Sequence, residues 1–296
     1  MSQTGLGFIA RYSACPLCRS PELHPDFELD VKETTLQWSR CGSCDLTFQN
    51  PRLDEQSILS IYHGSDYWDK EAYASYAEGD APRIAQSVRR LDTIRKVTGL
   101  PGGRVLDVGC ATGFFGFAAS QAGFDVVGVD PSPEMIEVGR SKYGLEMRCG
   151  TLEAVELEEG HYDLVTLWGT DSHFLNPLDG FSKLAKSLEP GGFLAMNYQN
   201  FHHWVRFVFP GLKRSWNALY NFSDRSFDVM LERVGLTLRY RRTEWQLVSV
   251  DHLLRVLKLW RPERVRRRVV LVPAVSFPLV IAQKLDGRAD RIRRVK

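Results

Sequence analysis

Two groups of residues in this 296-residue chain have the types and spacing for chemistry. The first is two C-x-x-C pairs, Cys15-Pro16-Leu17-Cys18 and Cys41-Gly42-Ser43-Cys44, with 22 residues between them. A C-x-x-C loop lets two thiolates reach one ion, and two such loops complete a tetrahedron. The second group is Arg104–Gly116, RVLDVGCATGFFG. It joins an apolar run (Val105, Leu106, Val108) to a turn of small residues (Gly109, Ala111, Gly113, Gly116) and a helix-like segment. Glycines let the backbone come close to a ligand, and a helix N-terminus offers unpaired N–H groups. A second apolar run, Phe124–Asp130, ends in an acid. A carboxylate at the tip of that second strand can accept both ribose hydroxyls of an adenosine.

These residues must be held by an alternation of strands and helices. Ile84, Val88, Leu91, Ile94 and Val97 recur at helical spacing within 83–98, and Gly99, Pro101, Gly102 and Gly103 end that helix. Strands are expected at 104–108, 124–130, 145–149, 161–168 and 193–197. Helices are expected after 113, after Pro133, over 178–188 and over 222–234, with closing strands over 236–248. Strand–helix alternation of this kind builds a parallel sheet with helices on both faces, an α/β fold.

Length fits one main domain plus an appendage, and 44% apolar residues suffice for a core. The formal charge of +2 signals no general polyanion partner, but it is unevenly placed. Residues 239–296 carry 16 Lys/Arg against 5 Asp/Glu. Within them, the uncharged run Val269–Ala282 is flanked by arginines. Cations around an apolar segment suit an anionic membrane surface. A core-packed element with a solvated basic edge is the favoured reading, because Pro273 and Pro278 oppose a regular interfacial helix. The N-terminus lacks a basic stretch followed by a long apolar core, and paired C-x-x-C loops suit a reducing compartment. The expected location is therefore cytoplasmic, with a peripheral place at the inner membrane face left open.

Asp107-x-Gly109-x-x-x-Gly113 resembles motif I of the class I S-adenosylmethionine (SAM) methyltransferases, with Ala111 at the middle glycine. Asp130-x-Ser132, the Gly150 loop, Asp163, His173, Pro177 and Leu188-x-Pro190-Gly191-Gly192 extend the resemblance. It implies a Rossmann-like class I methyltransferase sheet. It also implies SAM binding by Asp107, Gly109, Cys110, Ala111, Gly113, Asp130, Pro131, Thr151, Leu152 and Trp168. Thr151 stands where relatives often have an acid, so the adenine contact would fall to backbone or to Glu153. NAD binding is disfavoured, because the glycine register differs from G-x-G-x-x-G.

The order of the cysteine pairs, Phe48-x-Asn50-Pro51-Arg52 and an aromatic segment resembles bacterial SAM methyltransferases with an N-terminal zinc ribbon. Cys15, Cys18, Cys41 and Cys44 would hold structural Zn2+, since four thiolates close the coordination shell. Buried or redox-active thiols are the alternative. The expected organisation is a zinc ribbon over 11–50, an aromatic lid or linker over 51–82, a SAM-binding domain over 83–250 and a basic, apolar extension over 251–296. Tyr62, Tyr67, Trp68, Tyr73 and Tyr76 would form the lid or pack the ribbon onto the main domain. An aromatic insert at 198–222 would build the acceptor pocket.

His173 is the first candidate for a general base, followed by His202, His203 and Tyr198. The related motif has Glu and Leu where Ser172 and Asp171 stand here. The expected reaction moves the methyl of SAM to O, N or C of a small molecule: a sugar, lipid or natural-product intermediate. An RNA methyltransferase docking through the ribbon and a catalytically inactive SAM-binding protein are the alternatives.

Overall fold

A computed structural model describes residues 6–31, 34–63, 80–200, 218–251, 254 and 268–285. Its larger sheet has seven strands in the order β10-β11-β8-β7-β4-β5-β6. These are β4 (Gly103–Val108), β5 (Phe124–Asp130), β6 (Glu146–Cys149), β7 (Tyr162–Trp168), β8 (Leu188–Asn197), β10 (Leu236–Ser249) and β11 (Val269–Lys284). β4 to β8 are parallel neighbours. β11 is antiparallel to β8 on one side and to β10 on the other. This is the α/β sheet that the strand–helix alternation predicts, in the Rossmann-like arrangement that the resemblance implies.

The central parallel strands are mostly apolar because both faces of the sheet are covered. On one face Val105 and Leu164 pack with Leu91 and Ile94 of α2 (Asp80–Thr98) and with Phe115 and Ala119 of α3 (Phe114–Gln121). On the other, Leu106, Val108, Val165 and Leu167 pack with Phe181 and Leu184 of α5 (Pro177–Ser187) and Phe227 of α6 (Asp224–Arg233). α4 (Pro133–Tyr143) links β5 to β6, and α1 (Glu55–His63) precedes α2.

One strand differs from its expected form. β8 begins at Leu188, not Phe193: Leu188 pairs with Tyr162, and Phe193 pairs with Leu164. The residues between them, including Pro190-Gly191-Gly192, bulge from the strand, as a proline without an N–H requires. The apolar run of the C-terminal region is a strand inside the sheet: Leu279–Gln283 pairs with Phe193–Asn197. Residues 269–284, placed within the 251–296 extension on sequence, thus belong to the seven-stranded sheet; Leu279–Ala282 are buried in its core, as the core-packed reading expects, while Val269–Leu271 are exposed. The arginines before 268 and after 285 lie outside the described residues. No described helix is long and apolar enough to cross a membrane.

The cysteine-bearing part forms a second, antiparallel sheet, β1-β2-β3-β9. β1 (Leu23–Val31), β2 (Thr34–Cys41) and β3 (Thr47–Gln49) come from the N-terminal region. β9 (Tyr220–Asn221) comes from beyond β8. The two sheets share one core, in which Leu17, Trp38 and Phe48 join Phe174, Phe181 and Phe222.

Candidate functional site

A cavity opens at the C-terminal ends of β4, β5 and β7, where the order of the parallel strands reverses. Such a switch point is the usual ligand crevice of open α/β sheets. Its floor is Gly109 and Ala111 of the turn after β4, while Gly113 is off the lining, against Leu145. Gly109 (φ 68°), Ala111 (φ 47°) and Gly113 (φ 85°) take left-handed conformations. The N–H groups of Gly109 and Cys110 donate to the Val129 carbonyl, which ties the turn to β5. No side chain caps the N-terminus of α3.

Asp130 ends β5 at the cavity wall. Its Oδ2 accepts from the Ala111 N–H at 2.8 Å and its Oδ1 from the Ser132 N–H at 2.9 Å. Burial raises its pKa, against the pull of these two N–H groups. Ser132 also caps α4, accepting from the Met135 N–H, with Pro133 in the first turn. The local sequence Asp-Pro-Ser-Pro thus fixes the acid and starts the next helix together. Pro131, Thr151, Leu152 and Trp168 line the same cavity. Glu153 lines it too, while its carboxylate accepts from the Leu175 N–H at 2.9 Å.

Asp107 and Cys110 sit behind the wall. Asp107 is buried and accepts from the Thr166 hydroxyl at 2.7 Å, joining β4 to β7. Burial pushes its carboxyl up to about 7. The Cys110 side chain packs with Ile136 and Met147 beneath α4.

The opposite side is a short 3-10 turn, Asp171–His173, and the residues that follow it. Thr170, His173, Phe174 and Leu175 face the cavity. Asn176 caps α5 by accepting from the Leu178 and Asp179 N–H groups, which ends this loop at a fixed place. Asp171 is buried, and its carboxyl is pushed up to about 7 by desolvation. Ile58, Leu59 and Glu55 of α1 complete the lining. Their sequence signal was the apolar pair at 58–59 inside the lid segment. Nothing in sequence marked Thr170 or Leu175.

Of the four base candidates, His173 and Tyr198 are among the described residues, and of these two only His173 lines the cavity. Tyr198 is fully buried, stacked on Phe227 with ring centroids 4.3 Å apart, and its hydroxyl donates to Asp224. It belongs to the core behind β8. His202, His203, most of the 198–222 insert and Tyr67, Trp68, Tyr73 and Tyr76 lie outside the described residues.

A buried polar network stands beside Trp168. Glu244 of β10 accepts from the Arg90 guanidinium, Gln86, Gln246 and Asn197. Burial opposes its charge, but Arg90, Gln246 and Gln86 outweigh burial and hold its pKa below the ordinary value. Arg90 also lies over the Trp168 ring, 4.2 Å from its centroid. Asn197 accepts the Gly169 N–H at 2.9 Å. The network therefore fixes both residues at the end of β7.

The four cysteine sulfurs lie within 4.8 Å of one another. Cys15–Cys44 and Cys18–Cys41 are 3.6 and 3.5 Å apart. A tetrahedral ion with bonds of about 2.3 Å needs sulfurs about 3.8 Å apart, so the group fits Zn2+.

Residues 105–192 match the protein-family model described as "Methyltransferase domain". The α/β sheet around this match agrees with the expected fold class. A ubiquinone biosynthesis O-methyltransferase of Xanthomonas campestris is 31% identical over 53% of this chain and 64% of its own length. One of the same name from Hahella chejuensis is 28% identical over 57% of this chain and 82% of its own. The chain thus spans less than two thirds of the Xanthomonas relative. Among solved structures, a Thermotoga maritima SAM-dependent methyltransferase covers 76% of this chain and 99% of its own, at 16% identity and TM-score 0.53. A Bacillus halodurans protein, crystallised as a candidate methyltransferase, covers 66% and 98%, at 18% identity and TM-score 0.52.

Proposed function

We propose that the chain is a SAM-dependent methyltransferase acting on a small, largely apolar acceptor, with oxygen as the favoured nucleophile. The observation that carries this reading is the convergence on one cavity of the 109–111 turn, Asp130, the 150–152 loop and His173. The names of the curated relatives favour oxygen over nitrogen or carbon. Ile58, Leu59, Phe174 and Leu175 give the outer side the apolar character common to small-molecule sites.

Asp130 would accept the ribose hydroxyls, and Gly109 and Ala111 would let the backbone meet the rest of the donor. Bound SAM supplies an activated methyl on a positively charged sulfur. The chain has to align a nucleophile with that methyl and exclude water. His173, which lines the cavity, would take the proton of the attacking group. The four-cysteine group would hold Zn2+ in a closed, structural role.

Calorimetry with SAM and with NAD tests the donor, and mass spectrometry for acceptors gaining one CH2 tests the reaction. Failure of SAM to bind, or binding unchanged in Asp130→Ala, would sink the reading. Substitution of His173 by Ala should cut turnover by roughly 100-fold or more while SAM affinity holds. Metal analysis of the purified protein tests for one zinc per chain, which Cys41→Ser should abolish.

A further inference from the structure

We infer that the cysteine module supports the outer wall of this pocket, and that Tyr220 is the positioning residue that couples the module's sheet to the 170–175 loop. The inference deepens the methyltransferase reading and rests on it for its functional meaning.

The coupling is a chain of hydrogen bonds. The second cysteine loop is tied to the start of β3: the Cys41 N–H donates to the Leu46 carbonyl, and the Asp45 N–H donates to the Cys41 carbonyl. β3 then pairs with β9, Phe48 opposite Tyr220 and Thr47 opposite Asn221. The Gln49 N–H donates to the Leu219 carbonyl at 2.8 Å, and the Trp38 indole donates to the Ala218 carbonyl at 3.1 Å. From this strand two bonds reach the pocket loop. The Leu219 N–H donates to the Ser172 carbonyl at 2.9 Å, and the Tyr220 hydroxyl donates to the Leu175 carbonyl at 2.9 Å. These two carbonyls bracket His173 and Phe174.

A second piece of the same wall is held by β3, where the Leu53 N–H donates to the Gln49 side chain at 2.8 Å, and by the segment that precedes the first cysteine pair. The Asp54 N–H donates to the Gly7 carbonyl, and the Gly7 N–H donates to the Ser57 hydroxyl. These contacts pin the start of α1, whose Ile58 and Leu59 face the cavity. Both outer elements therefore hang on the cysteine module and the segment before it, while the donor side hangs on the parallel sheet. A wall that carries the base candidate and the apolar lining selects the acceptor, so the metal module acts on specificity through position.

Hydrogen exchange on the full-length, metal-loaded protein tests this. Tyr220→Phe removes one hydroxyl and leaves the cysteines intact. The expected result is about 10-fold faster exchange across 170–175, with zinc content and exchange across 105–113 unchanged. SAM affinity should change by less than about 3-fold. Chelation of the metal from the unsubstituted protein should speed exchange at both 55–59 and 170–175. Unchanged exchange at 170–175 in either arm overturns the inference, as does equal acceleration across 105–113. If the loaded protein binds no SAM, the methyltransferase reading falls, and the exchange pattern still decides the coupling.

Discussion

Two turns meet across the pocket, one at Gly109–Gly113 and the other at Gly169–Leu175. The first belongs to one short piece of chain: a strand, a glycine turn and a helix, with its acid 17 residues beyond Gly113. The second has no such local origin. Its Gly169 is held by Asn197, its Ser172 and Leu175 by β9, and its Leu175 N–H by Glu153. The turns touch where Gly109 has no side chain, since a Cβ there would lie 2.2 Å from the Thr170 hydroxyl. A donor cradle set by backbone can stay the same while an outer wall assembled from distant pieces changes with the acceptor.

The sharpest way to break this contrast is at the network behind the second turn. Glu244→Ala leaves Arg90 buried without its carboxylate and should cost about 3–5 kcal/mol in denaturant unfolding. It should also disturb Trp168 and Gly169, while the turn at 109–113 keeps its bonds to Val129. Glu244→Gln should cost less, because it retains hydrogen-bonding capacity.

Asp130→Ala acts on the other turn, where it also removes the acceptor of the Ala111 and Ser132 N–H groups. Loss of two charge-assisted contacts to ligand hydroxyls should weaken SAM binding by roughly 100-fold in calorimetry, about 3 kcal/mol. Gly109→Ala tests the point of contact itself. A positive φ costs a non-glycine residue about 1 kcal/mol, and displacement of Thr170 adds to it. A melting temperature lowered by several degrees, together with weaker SAM binding, is the expected outcome; an unshifted melt would remove the clash from the account.

The smallest effect concerns Asp171. Its carboxyl rises from 3.8 unfolded to about 7 in the native state. Below the unfolded value both states hold the proton, and the acid imposes no penalty. Between the two values the unfolded chain releases its proton first, so native stability falls as pH rises; above about 7 the penalty is constant. Asp171→Asn removes this slope. It should stabilise the protein at pH 8 by on the order of 1–2 kcal/mol, less than the full shift because relaxation softens a buried charge. Chemical denaturation at pH 4 and pH 8 measures it.

The same contrast explains what sequence could reveal. The donor turn, the strand order from β4 to β8 and the caps at Ser132 and Asn176 are written in spacings of a few residues. The cysteine cluster is legible because C-x-x-C loops announce their geometry. β9 was not, because two residues with no pattern of their own, Tyr220 and Asn221, pair with Phe48 and Thr47 from the far N-terminal part of the chain. The place of Tyr198 was missed for a related reason: it follows a strand that runs toward the site, yet its ring lies against α6. The bulge at Pro190–Gly192 was readable as a turn but not as an interruption within a strand.

The placement of β11 between β8 and β10 also has a consequence in time. When residue 249 leaves the ribosome, β10 has no neighbour, because the strand that must lie beside it is not yet made. The edge of β8 stays open for the same interval. Such an edge is a template for pairing with another chain. The parallel half can form early, but closure waits for residues 269–284, and a chain stopped before them would expose that edge and associate rather than merely unfold.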